Sequence, residues 1–462
     1  MSTFKGLLQG FTKVDSRPLS HMDIEYFDNA FAPLNCAVVF ESNFFGNDKK
    51  LRQAFVRAVE TSPILCSVVE GEGKGARFVP ITSPEDWPAL TIEHLPVDAQ
   101  GEVMTRVRTV MADQIESLQK GGKDEHRKSV RFTILKSGKK IAFVLITPHH
   151  FLDGVGIASF LAKYMMLAIL PKISWGIIIQ KKCPKVLPPF MEMPFKKDYP
   201  AVQDRLIPNT EMRPPYNHFF PNHDFADPES PGKLKGIDGM LTISSKQVVK
   251  QVRAALREEG ISISIAFSAL AVKLLAVILK NHNANPESKQ VTSSTGTDIR
   301  QFSQWGDERD RKQGRQLPVE GNFTCKQNYS FEFEEALEQP LVAMAHVIKK
   351  DMARLHTDTE YRMDRVLNQW NEPVMAYAGV SSVLAPNVTG AFLFRNMTLE
   401  STIDFGPVPR VWFYVLTAEG QTCLKADIAL PLPGLTEAEL RREMSLIVKD
   451  SPLKALFSGV LE

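Results

Sequence analysis

Short apolar runs alternate with helical apolar stripes along the chain, a texture that predicts mixed α and β elements rather than a helical bundle or an all-β sandwich. Residues 48–60, DKKLRQAFVRAVE, place Leu51, Phe55, Val56 and Val59 on one face of a helix, which the Ser62-Pro63 pair ends. Before it, SHMDIEYFDNAF predicts a short capped helix and CAVVFES a strand. After a GEGKG turn, RFVPI and LTIEHL read as strands and EVMTRVRTVMADQIESL as a helix. VRFTILKSGKKIAFVLI then reads as a hairpin about Ser137-Gly138. Its second arm, from Ile141 to Pro148, is apolar and rich in β-branched residues, and helical spacing resumes after Gly156 in IASFLAKYMMLAIL. Between the two lies HHFLDG, residues 149–154, where a strand breaks into a turn.

The second half repeats this texture. MLTISS predicts a strand, ISISIAFSALAVKLLAVILKNH a long apolar helix, VTSSTGTDI and KQNYSFEFE strands, and LVAMAHVIKKDMARL a helix. RVWFYVLT and CLKADIALPL predict a hairpin about Glu419-Gly420, and EAELRREMSLIVKD a closing helix. A faint echo between LRQAFVRAVETSPIL at 51 and LRREMSLIVKDSPL at 440 is explained as well by chance as by duplication. Between the halves, prolines crowd residues 184–231 too closely for a helix or central strand. The aromatic residues there, Phe190, Phe195, Tyr216, Phe219 and Phe220, predict a segment that packs on a surface. The expected division is therefore 1–180, a proline-rich crossover at 181–235, and 236–462.

Composition narrows the function classes. With 462 residues a two-domain chain is expected, and 44% hydrophobic against 23% charged residues is the balance of an ordinary globular protein. A net charge of +2, with bases scattered among nearly as many acids, gives no footprint for nucleic acid. The 5 cysteines lie far apart without ligand spacing, and His126, His218 and His223 have none either, so no metal is expected. MSTFKGLLQGFTKVDSR has no apolar core of signal-peptide length, which points to a reducing, cytoplasmic setting. Phe4, Leu7, Leu8, Phe11 and Val14 form a stripe that suits a terminal helix docked on the core better than an interfacial anchor. The apolar run from Tyr164 to Ile179 is broken by Pro171 and Lys172, so no transmembrane segment is expected. GEGKGA at 71–76 lacks the spacing of a phosphate cradle and reads as a hairpin turn, and GDERDRKQGRQ at 306–316 as a solvated loop.

HHFLDG is the stretch with chemical content. Histidine takes a proton near neutral pH without prior perturbation, which suits it to activate a hydroxyl or amine. Asp153 lies four residues after His149, where its carboxylate can turn inward and pin the loop, and Gly154 is expected to permit a conformation that a Cβ would resist. Alone, such a pattern also fits a structural histidine.

HHFLDG resembles the HxxxD(G) signature of the chloramphenicol-acetyltransferase-like superfamily, which includes BAHD acyltransferases, alcohol acetyltransferases and condensation domains of peptide synthetases. DFGPVPR, 404–410, resembles the DFGWG segment of BAHD enzymes, while GTDIR at 296–300 and GNF at 321–323 resemble two further family segments. The resemblance implies an α/β fold of two chloramphenicol-acetyltransferase-like domains, a pseudo-dimer with a tunnel at their interface, and a monomeric enzyme. It implies an acyl-CoA, such as acetyl-CoA, as co-substrate with no permanently bound cofactor, and a small-molecule alcohol or amine as acceptor. His149 would be the general base, and His150 is the rival, since condensation domains use the second histidine of a motif one residue longer. Asp153, Gly154 and Arg300 would support the motif, with Asp153 paired to Arg300, and Asp404, Phe405 and Gly406 would be structural. VSSVLAP at 380–386 resembles a stretch that supplies oxyanion donors, but Val383 and Leu384 replace an expected Trp-Thr pair, leaving Ser381 and Ser382 as candidates for the oxyanion or the tunnel. DFGPVPR lacks the BAHD tryptophan, which places the resemblance nearer to fungal or bacterial O-acetyltransferases of secondary metabolism. A carrier-protein-bound donor and a catalytically silent scaffold are the competing readings.

Overall fold

The computed structural model describes residues 16–19, 21–28, 33–45, 47–169, 237–284, 290–298, 321–322, 324–358, 360–361, 376–384, 395–403, 409–418 and 421–457. The chain forms two compact units that are not contiguous in sequence: 1–196 with 300–323 and 383–406, and 197–299 with 324–382 and 407–462. The 181–235 crossover, the 306–316 loop and the N-terminal stripe lie outside the described residues.

In the first unit the elements run β1 (Arg17–Pro18), α1 (His21–Asp28), β2 (Leu34–Glu41), α2 (Asp48–Glu60), β3 (Ser67–Glu70), β4 (Arg77–Pro80), β5 (Ala89–His94), α3 (Val103–His126), β6 (Arg131–Ser137), β7 (Lys140–Thr147) and α4 (Gly154–Ile169). β1, β4 and β3 make a small antiparallel sheet, whose GEGKG connection is a tight turn. The main sheet has the order β12-β2-β7-β6-β5, in which β12 is Arg395–Ile403. β12 lies antiparallel along β2, which corrects the expected division: 236–462 is not one block, because a strand from late in the chain covers the outer edge of β2.

Both faces of β7 are buried, which explains why it reads as an unbroken apolar run instead of alternating. Ala142, Val144 and Ile146 face α3 through Val103, Val107, Val110 and Met111. The opposite face is aromatic. Phe132 of β6 stacks on Phe55 of α2 at 5.6 Å and meets Tyr164 of α4 edge-on at 4.8 Å, while Phe143 meets Tyr164 at 5.1 Å. Phe160 and Tyr164 are one helical turn apart, so a single face of α4 is fixed against the sheet. Each such pair contributes about 0.5–1.5 kcal/mol beyond the area it buries. α3 runs past the expected end at Leu118 until Gly122, with φ 53°, breaks the helical backbone and turns His126 into the interior.

The second unit holds β8 (Ile237–Ser245), α5 (Lys246–Glu258), α6 (Ile263–Asn281), β9 (Gln290–Asp298), β10 (Thr324–Glu332), α7 (Phe333–Glu338), α8 (Leu341–Thr357), β11 (Ala376–Leu384), β13 (Arg410–Ala418), β14 (Gln421–Ala429), α9 (Glu437–Val448) and α10 (Lys454–Phe457). Its sheet order is β10-β9-β11-β13-β14-β8. Among the described residues α6 alone is long and apolar enough to cross a membrane. It is apolar all round because it is the centre of this unit's core, with Phe267, Leu270, Leu274, Leu275 and Ile278 buried. Lys273 is a half-buried charge in the middle of that helix. Its Nζ donates to the carbonyls of Ala336 and Leu337 at 3.3 and 3.1 Å and to that of Gln339, satisfying the C-terminal end of α7.

Candidate functional site

β7 ends at Thr147, whose hydroxyl donates to the Ser129 carbonyl at 2.9 Å and ties the strand end to the neighbouring segment. The chain then turns: the Phe151 amide donates to the Pro148 carbonyl at 3.1 Å, placing His149 and His150 inside the turn. α4 starts at Gly154, three residues earlier than the apolar spacing indicated, because Asp153 caps it. The Asp153 carboxylate accepts from the Gly156 amide at 2.8 Å, its carbonyl accepts from the Ile157 amide at 2.9 Å, and its own amide donates to the Gly321 carbonyl at 3.1 Å. Asp153 is thus a buried N-cap that fixes the exit of the turn.

The glycine expectation is corrected. Gly154 has no positive φ and a Cβ there would meet nothing within 4 Å. Gly156 is the tight position: a Cβ would lie 3.0 Å from the Gly321 oxygen and 3.2 Å from Leu152 Cδ2. The GNF segment therefore presses its backbone against the first turn of α4, and only glycine leaves that gap.

The two histidines have different surroundings. The His149 imidazole lies flat on Tyr26 of α1, with ring centroids 4.3 Å apart and planes at 12°. His150 is fully enclosed, edge-on to Phe27 at 5.5 Å, tilted against Phe151 at 4.6 Å and near Phe78 at 6.2 Å. Burial holds His150 well below the usual imidazole range, with smaller contributions in the same direction from His126 and His149. A side chain kept neutral by an aromatic enclosure is poorly placed to take up a proton.

His126, also fully buried, is pushed down to about 4, chiefly by burial and further by the Arg131 charge, with Glu125 opposing. Among the described residues neither of its ring nitrogens has a hydrogen-bond partner. A depressed folded-state pKa means that stability is complete above the ordinary value near 6.5 and is lost as pH falls from there through about 4. Between pH 7 and 5 the wild-type protein is expected to lose about 2 kcal/mol more than His126→Phe in urea unfolding. Equal acid sensitivity of the two proteins would show that His126 does not carry this term.

Sheet register relates the strands that precede the two sequence motifs. Ile403 of β12 pairs with Leu34, which pairs with Thr147. β12 and β7 both run antiparallel to β2, so the chain leaves both strands at the same end of the sheet, one strand apart. Two strand spacings amount to about 10 Å. Asp404, Phe405 and Gly406 follow directly and lie outside the described residues, as does Arg300. Ser381 and Ser382 belong to β11, in the second unit by the strand's course, with their side chains outside the described residues.

Sequence reasoning missed Tyr26, Phe27 and Phe78 around the histidines and the Gly321 carbonyl. Arg17 carries a second layer: its guanidinium lies 4.5 Å over Phe78 and 3.6 Å from the buried Asp23 carboxylate. The amphipathic pattern indicated the α1 helix, but no spacing rule pairs it with a turn more than 120 residues on. Among the described residues no group of three or more His, Cys, Asp or Glu is gathered as for a metal.

No protein-family model matches the chain, and no curated protein matches its sequence significantly. Solved structures do. A trichothecene 15-O-acetyltransferase from Fusarium sporotrichioides superposes with a TM-score of 0.60 at 14% identity, over 96% of this chain and 95% of that one. TRI101 of F. graminearum, solved with coenzyme A and deoxynivalenol, gives 0.58 at 12% identity over 90% and 96%. The first condensation domain of the calcium-dependent antibiotic synthetase gives 0.56 at 13% identity over 97% and 98%. The chain has the α/β fold common to these acetyltransferase and condensation-domain structures, over almost its full length.

Proposed function

We propose that the chain transfers an acyl group, acetyl in the first instance, from an acyl-CoA thioester to a hydroxyl of a hydrophobic small molecule, with His149 as general base. The observation that carries this reading is an imidazole held at a sheet end by a turn that a buried aspartate caps. The acetyltransferase fold and the coenzyme A bound in one similar structure support it.

In this reading His149 accepts the acceptor's hydroxyl proton as the oxygen bonds to the thioester carbonyl carbon. The tetrahedral intermediate collapses with loss of the thiolate, which takes the proton back from the imidazolium. One ester and one free thiol result, with no change of oxidation state. Asp153 does not relay the proton; it fixes the turn. A thiol relay is disfavoured at the cysteines whose side chains are described: burial pushes Cys36 up to about 12 and Cys66 well up, so neither provides a thiolate.

The test is a panel of acyl-CoAs with candidate alcohols and amines, followed by thiol release and by mass detection of the acylated product. Acceptor-dependent release from a CoA donor, absent in His149→Ala, is the expected outcome. Release only from a donor loaded on a carrier protein's phosphopantetheine would replace this reading with a condensation-type reaction. Binding without turnover for every donor would make the chain a scaffold of the same fold.

A further inference from the structure

We infer that Tyr26 is the positioning residue for His149, holding the imidazole in one orientation through its ring face; this rests on the reading of His149 as the base. α1 is seated independently of that contact. At one end, Asp23 is buried against Arg17, whose guanidinium covers Phe78. At the other, Phe27 is fully buried, perpendicular to the His150 ring, and lies beneath the Arg127 guanidinium at 5.8 Å. Tyr26 is carried between these two anchors and is itself buried, so its ring is a fixed plane rather than a mobile surface group.

The geometry then restricts His149. A histidine on a turn has two rotatable side-chain bonds, and a parallel ring at 4.3 Å and 12° blocks rotation of the imidazole out of its plane. The plane of the ring sets the direction of its nitrogens, so the ring face of Tyr26 sets the line along which a proton is taken. A stacked phenol face also favours the imidazolium that forms during transfer. Neither effect requires the Tyr26 hydroxyl. Both require a flat ring.

Tyr26→Phe keeps that ring and Tyr26→Leu fills much of the volume without it. The Leu variant is expected to lose roughly 10- to 100-fold in kcat, the scale of a misplaced catalytic group. The KM values for donor and acceptor should stay within about twofold in the Leu variant, since it alters orientation more than binding, and Phe should recover most of the rate. Wild-type kcat in the Leu variant, or a loss in Phe equal to that in Leu, would overturn the inference. A measurement that does not depend on turnover accompanies it: the ring Cε1–H resonance of His149, assigned by its absence in His149→Gln. A single sharp, ring-current-shifted signal is expected in wild type and Phe, and a broadened, unshifted one in Leu. An unaltered signal in Leu overturns the positioning role. Full activity of His149→Ala overturns instead the assignment of the base, so the two failures are separable.

Discussion

His149→Ala is expected to lower kcat by about 10²- to 10⁴-fold, the usual contribution of a positioned general base, while costing about 1 kcal/mol of stability through the lost contact with Tyr26. The two quantities are measured separately, by thiol release and by urea unfolding. His150→Ala should behave in the opposite way. Its ring is part of the packing of Phe27, Phe78 and Phe151, so truncation removes core contacts and lowers stability by about 2 kcal/mol or more, with the rate per folded molecule largely kept. If His150→Ala abolished turnover in a folded protein and His149→Ala did not, the roles would be exchanged. The difference in surroundings decides the expectation, because the sequence offers two adjacent histidines and only the structure separates the one on a tyrosine face from the one in an aromatic enclosure.

The second large effect is expected at Asp153. Asp153→Ala removes the N-cap of α4 and leaves the buried Gly156 amide without its acceptor. A lost cap costs about 0.5–2 kcal/mol and an unsatisfied buried donor about 1–3 kcal/mol; as both describe the same bond, a total near 2 kcal/mol is expected. Activity should fall too, because the cap fixes the turn that bears His149. Asn retains an oxygen at the capping position, so Asp153→Asn should recover the cap's share of stability. Urea unfolding of the three proteins separates the cap from the charge: any further loss in Asn measures what the negative charge contributes. Identical, severe losses in Asn and Ala would show that the charge, not the cap, holds the turn.

Much of the fold was legible because local pattern and tertiary environment agree. α2 matches its expected span, 48–60, since an apolar stripe and a closing Ser-Pro mark the same element, which the structure shows capped by Asn47. The β6–β7 hairpin was equally clear, with Gly138 at φ 58° in its turn. β12 was not. Its sequence, RNMTLESTI, mixes polar and apolar positions without a strong alternation, and what makes it a strand is the open edge of β2. α5 was also passed over, although Val249, Val252 and Leu256 carry the spacing of a buried face. At the site, the HHFLDG segment showed where a base could be presented, but three features depend on contacts between distant segments: the stack on Tyr26, the enclosure of His150 and the pressure of Gly321 on Gly156. One-dimensional periodicity carries no information about such contacts.

The strand borrowed by the first sheet has a consequence for biosynthesis. Roughly 350 residues separate β2 from its edge partner β12, and at typical elongation rates of about 5–20 residues per second that interval lasts roughly 20–70 s. Throughout it, the nascent chain presents β2 as an unpaired edge of the kind that invites misplaced pairing with other chains. The N-terminal unit is therefore completed only after most of the polypeptide has left the ribosome, and a chain that stops short of residue 395 never supplies the strand that closes its sheet.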